Sequence, residues 1–280
     1  MTTRNDGIWS SGRLRFAAAA MVVINGFFPA LWILLTSLKT ETELVSRPIT
    51  YWPHRPTLDN YVTAFQDQPL LRFLGNSVAV AGLSTILTLL VSACAAYAIA
   101  RLNLKRRDWI LTTIVASSMF PLITLLVPIF ETMRALGLLN TYIALVLPYT
   151  VLSLPVCTLV LVSFFQNIPR DLENAAMIDG CTRLGALWRV VVPLAAPGVF
   201  TAGILSFVNA WDEFLLALSL SSSPLMRTLP VGITLYQTEF VFPWPVISAA
   251  LVVAIVPIAV LIAIFQERVV SGLTQGGIKG

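Results

Sequence analysis

The sequence predicts an all-α integral membrane protein with about six transmembrane helices. Hydrophobic residues fill 57% of the 280 positions and charged residues only 11%. Charged residues make up roughly a quarter of a soluble domain. Long uncharged runs also recur along the chain, and a helix needs roughly 20 apolar residues in succession to cross a bilayer. Composition and run length together argue against a soluble protein.

Six uncharged runs are long enough to span the membrane. They cover Phe16–Leu38, Phe73–Ala100, Trp109–Phe130, Thr141–Ile168, Val190–Trp211 and Phe240–Gln266. In lipid the backbone has no water to bond with, so each run is predicted to be a helix that satisfies its own hydrogen bonds. The first run has 23 residues. It is longer than the roughly 7–15-residue core of a signal peptide, and we interpret it as an uncleaved span.

The distribution of Lys and Arg predicts the orientation, because basic residues favour the cytoplasmic side. If the N-terminus is inside, 12 of the 18 Lys and Arg residues lie in inner segments. We therefore expect a cytoplasmic N-terminus (residues 1–15), a membrane domain (16–266) and a cytoplasmic tail (267–280). The basic residues are spread over several loops, so the net charge of +4 gives no sign of nucleic-acid binding.

One predicted inner segment, residues 167–192 between the fourth and fifth spans, differs from a simple turn. Pro169 suits a first helical turn, and Gly180 can end that helix with a positive φ. A second short helix is expected to follow. The small side chains of Ala175 and Ala176 would let another protein approach closely. An element lying on the lipid surface is the alternative that the spacing leaves open.

The motif in this segment resembles the cytoplasmic signature of carbohydrate ABC importer permeases. It reads Glu-Asn-Ala-Ala-Met-Ile-Asp-Gly up to Gly180, and Val-Val-Val-Pro follows up to Pro193. The resemblance is particularly to the second maltose permease and to actinobacterial trehalose-type permeases. The sequence departs from the family at Asn174, where glutamate is usual, and at Val192, where leucine is usual. Other matching stretches are Asn76-Ser77, Ala95–Ala98 with Arg101, Met119–Pro121, Ala210–Phe214 and Gly272–Gly280.

The resemblance implies a permease subunit of an ATP-driven, binding-protein-dependent sugar importer, forming half of the pore in a bacterial inner (plasma) membrane. The implied partners are a second homologous permease, an ATPase dimer, an extracytoplasmic sugar-binding protein, a small carbohydrate and membrane lipid. The sequence contains no Gly-x-x-x-x-Gly-Lys-Ser/Thr motif for ATP phosphates. We therefore expect no cofactor on this chain, and ATP with Mg²⁺ on the ATPase.

The resemblance also assigns contacts with the ATPase. Because Asn174 occupies the position of the family glutamate, the expected contact is either neutral there or made by Glu173 from another helix face. The tail is a second implied contact, through Gln275, Gly277 and Lys279. The residues assigned to coupling are Leu172, Glu173, Asn174, Ala175, Ala176, Met177, Asp179 and Gly180.

Asp212 and Glu213 interrupt the apolar fifth span. A charge at membrane depth costs several kcal/mol unless it faces water or a partner. Adjacent helical residues point ~100° apart, so both cannot face the pathway. We assign Asn209, Trp211 and Asp212 to the substrate pathway, because amides and carboxylates bond sugar hydroxyls and an indole stacks on a sugar ring. Pairing with a partner permease, or a place at the outer interface, is the alternative.

Two rival functions are a secondary transporter and a membrane enzyme. A secondary transporter would not need the glycine-hinged helix pair. An enzyme would need clustered acids, a metal set or a Ser/His pair at membrane depth, and the only histidine is His54. We expect no catalytic residue and no metal site. ATPase activity that appears only when a second subunit is co-expressed would distinguish an importer permease from a secondary transporter and from a membrane enzyme. The sequence does not fix the sugar: a small disaccharide is favoured, with glycerol phosphate diesters and amino sugars still open.

Overall fold

The chain was analysed as a computed structural model that describes residues 12–277, with side chains described for residues 16–265. Most of the described residues are helical, and no β-strand is found among them. The helices are α1 (Gly12–Ser37), α2 (Glu41–Leu44), α3 (Asp59–Asp67), α4 (Leu70–Arg101), α5 (Arg107–Ser118), α6 (Leu122–Ala135), α7 (Tyr142–Asn167), α8 (Arg170–Ile178), α9 (Arg183–Ala186), α10 (Val192–Leu194), α11 (Ala196–Asp212), α12 (Leu215–Leu220), α13 (Leu229–Ile233) and α14 (Trp244–Gly277). A π-helical turn, Leu187–Val191, joins α9 to α10, and a 3₁₀ turn, Thr234–Tyr236, follows α13.

The all-α membrane fold is confirmed, but two of the six predicted spans are not straight helices. Within the described residues, α1, α4, α7 and α14 are each long and apolar enough to cross a membrane alone. The third predicted span is the pair α5 and α6, bent by 89°, and the fifth is Arg183–Leu194 with α11, bent by 85°. Each bend lies beside a proline, Pro121 at the start of α6 and Pro197 in the first turn of α11. Proline removes a backbone donor and disfavours helix at the preceding residue.

The chain divides into two compact units. The first contains the described residues up to Pro69 together with Leu235–Ile255. Within it, Asn60 Nδ2 donates to the carbonyls of Ser37 and Lys39, both at 2.8 Å. Lys39 is only 1% exposed. Its ammonium donates to the Thr50 carbonyl and lies 5.1 Å from the Trp32 ring centroid. This lysine is therefore a structural group rather than a free surface charge.

The second unit, Leu70–Thr234 with the chain from Val256 onward, has α4, α7 and α11 packed together at its core. Small side chains let membrane helices approach closely, and hydroxyl groups form hydrogen bonds between them. Thr158 of α7 donates to Ser92 of α4 at 3.3 Å, and Cys157 Sγ donates to the Ala202 carbonyl of α11 at 3.3 Å. The buried small and hydroxyl side chains of α4 include Ala81, Ser84, Thr88, Ser92, Ala93 and Ala96.

The start of α4 holds the segment that precedes α13. Asn76 Nδ2 donates to the carbonyls of Leu225 and Arg227 at 3.0 and 2.9 Å, and Asn76 Oδ1 accepts from Tyr142 at 2.8 Å. The neighbouring Ser77 hydroxyl accepts from the Leu229 amide at 2.7 Å. All these groups lie in the second unit. The Asn76-Ser77 pair therefore fixes the segment between α12 and α13 to the bundle.

Candidate functional site

The segment between α7 and α9 forms the predicted helix and stop. Helix α8 begins after Pro169, and the chain reverses at Gly180, where φ is +92°. Amides after the helix return to its last turn, since Gly180 donates to the Met177 carbonyl at 3.1 Å and Cys181 donates to the Ala176 carbonyl at 3.0 Å. The Thr182 hydroxyl then accepts from the Gly185 amide at 3.1 Å and begins α9. Only glycine takes this positive φ without strain.

Helix α8 has an exposed face and a buried face. Leu172 and Ile178 are 46% and 86% exposed, and Asn174, Ala175, Asp179 and Gly180 are also exposed. Ala176 and Met177 are half-buried, while Glu173 is only 7% exposed. The predicted coupling residues therefore do not form a single surface. An apolar patch made by Leu172, Ala175 and Ile178 is open to a partner, and Glu173 lies on the other side.

Glu173 holds α8 against the end of α4. Its Oε1 accepts a hydrogen bond from the Tyr97 hydroxyl, and its Oε2 lies 3.4 Å from Arg101 Nε. Arg101 Nη2 also donates to the carbonyl of Ile168 at 2.9 Å. We call Tyr97, Arg101 and Glu173 the clamp. The side chains of Arg101 and Glu173 are only 4% and 9% exposed, so the carboxylate faces the bundle and not the exposed patch.

Sequence reasoning missed the clamp, although a signal for it was present. Tyr97 and Arg101 are four residues apart and so share one face of α4. An aromatic hydroxyl and a guanidinium on one face at the end of a span need an acceptor or an acid when they are buried. After α7, the next span, the first acidic residues along the chain lie in the first turn of α8.

The fifth predicted span ends differently from the expected continuous helix. Helix α11 stops at Asp212, Glu213 is extended (φ −68°, ψ 124°), and α12 starts at Leu215. Glu213 Oε1 accepts from the Leu216 amide at 2.8 Å, and Oε2 accepts from the Ala217 amide at 3.1 Å and the Tyr149 hydroxyl at 2.6 Å. Glu213 therefore caps α12, because the first amides of a helix lack partners within the helix.

The three predicted pathway residues do not share one face. Asn209 and Asp212 are exposed, three residues apart on α11. Trp211 is only 3% exposed and stacks on Phe207, with 5.6 Å between ring centroids, so it packs inside the protein. Asn209 lines two cavities of about 190 and 180 Å³. Polar residues that join it there, and that sequence reasoning missed, are Tyr149, Ser153 and Ser206.

The predicted tail contacts are largely beyond what the structure describes. Gln275 and Gly277 belong to the last turns of α14, where side chains are not described. Lys279 lies outside the described residues. Among the described residues no three His, Cys, Asp or Glu side chains are grouped to hold a metal ion. His54 is 73% exposed, with its Nδ1 3.1 Å from Glu43 Oε1.

Comparison with known families identifies the chain. The family described as "Binding-protein-dependent transport system inner membrane component" matches residues 88–275. The chain belongs to this family. The matched residues include the clamp, α8 and the Glu213 cap. The protein is thus a multi-pass permease subunit of a transport system, and not an enzyme.

Relatives of this permease cover nearly its whole length. It is 73% identical over 275 residues to the sulfoquinovosyl glycerol transport system permease protein of Agrobacterium fabrum, covering 98% of this chain and 96% of the relative. It is 39% identical to the trehalose transport system permease protein of Mycobacterium tuberculosis, covering 93% and 95%. It is 37% identical to the trehalose/maltose transport system permease protein of Thermococcus litoralis, covering 95% and 96%.

The fold of the permease is also found in a solved transporter. A chain from the crystal structure of a bacterial ABC transporter involved in the import of the acidic polysaccharide alginate superposes with a TM-score of 0.79. The superposition covers 95% of this chain and 98% of that chain, at 19% sequence identity. At this identity the likeness establishes the fold and nothing about the substrate.

Proposed function

We propose that the permease forms half of the pore of an ATP-driven importer for a sulfonated glycoside of the sulfoquinovosyl glycerol class. The observation that carries the proposal is 73% identity to a sulfoquinovosyl glycerol permease over 98% of this chain. Identity to the trehalose and trehalose/maltose permeases is 39% and 37%. A relative that shares nearly three quarters of its positions is the better guide to the substrate.

The cavities beside Asn209 support contacts with the sugar part of such a substrate. Their polar lining consists of hydroxyl, amide, thiol and carboxyl groups, and no Lys or Arg lines either cavity. The Glu213 carboxylate already accepts three hydrogen bonds. In this proposal Asn209 and Ser153 bond sugar hydroxyls inside the cavities. Asp212 lines neither cavity but is exposed three residues after Asn209, and it bonds hydroxyls farther along the pathway. Groups outside these cavities, on the binding protein or the second permease, pair with the sulfonate.

The proposed importer has five chains or more working together. A second, homologous permease completes the pore, an extracytoplasmic binding protein delivers the sugar, and two ATPase subunits bind ATP and Mg²⁺. The exposed patch of Leu172, Ala175 and Ile178 is the proposed contact with an ATPase, supported by its apolar character and its exposure. Charge distribution supports termini on the cytoplasmic side, on the same side as α8.

The substrate is tested by ATP hydrolysis in the reconstituted importer. Binding protein loaded with sulfoquinovosyl glycerol should stimulate hydrolysis and drive uptake into vesicles. Glucosyl glycerol is the matched control, because it differs only in carrying a hydroxyl group in place of the sulfonate, and trehalose represents the other relatives. Stimulation by trehalose and none by the sulfonated glycoside would refute the proposed substrate while leaving the permease assignment intact.

The orientation is tested separately in intact cells. A cysteine placed at Thr57 should react with a membrane-impermeant thiol reagent, and one at Lys105 should not. The opposite labelling pattern would show that the termini are outside.

A further inference from the structure

A cavity of about 380 Å³ lies beside the clamp, between the end of α4 and helices α8 and α9. Three arginines and one glutamate supply its charged lining, which leaves an excess of two positive charges. Two asparagines add amide donors. The lining residues are Arg101, Leu102, Asn103, Arg170, Glu173, Asn174, Met177 and Arg183.

The positive charge of this cavity is not neutralised within the described part of the chain. The Glu173 carboxylate accepts a hydrogen bond from Tyr97 and pairs with Arg101. No described acid lies within ion-pair distance of Arg170 or Arg183. The Nε atom of Arg101 is buried. It lies 3.4 Å from the Glu173 carboxylate but has no hydrogen bond to any described residue. Arg101 is thus ion-paired with Glu173. The positive charge of the lining that has no partner among the described residues is that of Arg170 and Arg183, whose side chains are exposed at the rim of the cavity.

We propose that this cavity binds a phosphate group. Guanidinium groups match phosphate oxygens with paired hydrogen bonds, and arginine is the preferred partner for such groups. A phosphate monoester carries about −1.5 to −2 charges at pH 7, which balances the excess of two. A carboxylate from a protein partner would supply only one charge and two oxygens.

The position of the cavity admits two sources of phosphate. Helix α4 ends at Arg101 and α7 ends at Asn167, so the cavity lies where two membrane-spanning helices end. Lipid headgroups occupy that level of a bilayer, and basic pockets between helix ends bind them. A soluble phosphorylated compound reaches the same level from water. Phosphatidic acid and a soluble phosphorylated compound both present a phosphate monoester.

Asn174 makes this cavity more positive than the family motif would. The family signature has glutamate at this position, and a second carboxylate in the lining would reduce the excess from two positive charges to one. The neutral amide of Asn174 instead leaves a donor that a phosphate oxygen can accept from. Asn174→Glu is therefore a specific way to disable the proposed site with the residue that the family signature carries at this position.

The test measures binding to the full-length permease, purified with its co-expressed ATPase partner. Inorganic phosphate is titrated while melting temperature is followed, with chloride at the same ionic strength as the control. Native mass spectrometry then counts lipids retained from nanodiscs of phosphatidic acid, whose headgroup is a phosphate monoester, or of phosphatidylcholine. The variants are Arg183→Gln and Asn174→Glu. Arg189→Gln is the matched control, because Arg189 is an exposed arginine in the same segment that does not line the cavity.

Phosphate should stabilise the wild type and Arg189→Gln, and its affinity should fall roughly 10-fold or more in the other two variants, as expected when a charge-assisted hydrogen bond is lost. Retained phosphatidic acid that phosphate displaces would identify a lipid source. Phosphate binding without retained lipid would identify a soluble one. Equal responses in Arg183→Gln and Arg189→Gln would overturn the proposal. So would a cavity that binds phosphate only when the ATPase is absent, because a protein group would then fill it.

Discussion

Glu173 of α8 accepts a hydrogen bond from the hydroxyl of Tyr97 on α4. Residues 76 positions apart in the sequence are thereby joined at the end of the bundle. Arg101 completes the clamp from the same face of α4. The helix that is expected to meet the ATPase is therefore held to a membrane span by buried polar groups. This arrangement explains why Glu173 and Asn174, which are neighbours, lie in different surroundings.

Breaking the clamp should weaken the attachment of α8. Glu173→Gln removes the charge opposite Arg101, and breaking a buried ion pair costs roughly 3–5 kcal/mol. The melting temperature should fall, and α8 should become sensitive to protease. Glu131→Gln is the control, because the Glu131–Arg134 pair is exposed and its 3.6 Å contact is worth about 0–1 kcal/mol. Equal melting temperatures for the two variants would show that the clamp does not hold α8.

Replacing Gly180 should disturb coupling without filling any space. A Cβ atom there would meet no atom within 4 Å, so the cost of Gly180→Val arises from its positive φ, at roughly 1–3 kcal/mol. ATP hydrolysis stimulated by loaded binding protein should fall, and ATPase co-purification should weaken. Gly82→Ala is the control, since its Cβ also meets nothing within 4 Å and its φ is not positive. Wild-type stimulation in Gly180→Val would exclude α8 as the coupling element.

A charged side chain on the exposed patch should weaken ATPase docking. Ala175→Asp adds a carboxylate between Leu172 and Ile178, both of which are exposed, and should reduce uptake with little change in melting temperature. Thr182→Ser, which keeps the cap hydroxyl of α9, should behave as wild type. Unchanged uptake and ATPase recovery in Ala175→Asp would show that the patch has another role.

Substitution of Glu213 should mainly lower stability, whereas substitution of Asp212 should mainly lower transport. Glu213→Ala removes three hydrogen bonds and the cap of α12, and loss of one cap alone costs about 0.5–2 kcal/mol. Its melting temperature should fall. Asp212→Ala should leave the melting temperature near wild type, because the side chain is exposed, and should reduce uptake. A stable Glu213→Ala protein would contradict the capping role.

Low pH should loosen the first loop through Glu43. The pKa of Glu43 is lowered from its usual 4.5, first by the hydrogen bond from the His54 amide and also by the His54 side chain and Thr50. A lowered pKa in the folded protein means that the ionised carboxylate stabilises the loop above pH 4.5, and that this contribution is lost as the pH falls through the lowered value. The protection of the His54 amide from exchange, taken relative to the intrinsic rate at each pH, should fall in that window, and Glu43→Gln should remove this pH dependence.

The positions of the spans, the helix α8 and its glycine stop could be predicted because each rests on local sequence. Run length specifies a span, and Gly180 specifies a positive φ. The bends at Pro121 and Pro197 could not be predicted with the same success, because proline is tolerated within membrane helices and α7 contains Pro148 and Pro155 without a break. Whether a proline bends a helix depends on what packs against it.

The inward side of Glu173 and the burial of Trp211 depend on packing that the local sequence does not specify. Glu173 turns toward Tyr97 because residues far apart in the chain meet there, and periodicity within α8 contains no information about that meeting. The chemistry of Trp211 suits a sugar pathway, and in the structure its ring is buried and stacks on Phe207, which lies one turn earlier. Glu213 changes the course of the chain because its carboxylate satisfies amides that follow it.

Helix α4 contains no proline, whereas the long helices α1, α7 and α14 contain Pro29, Pro148 with Pro155, and Pro257. Asn76 of this helix binds the segment before α13, and Arg101 forms part of the clamp. These two residues are about 37 Å apart along the helix at 1.5 Å per residue. An unbroken helix resists bending between two such anchors. If α4 tilts at the Asn76 end, its Arg101 end is therefore displaced as well. A rigid α4 can in this way transmit motion from one surface of the membrane to the other.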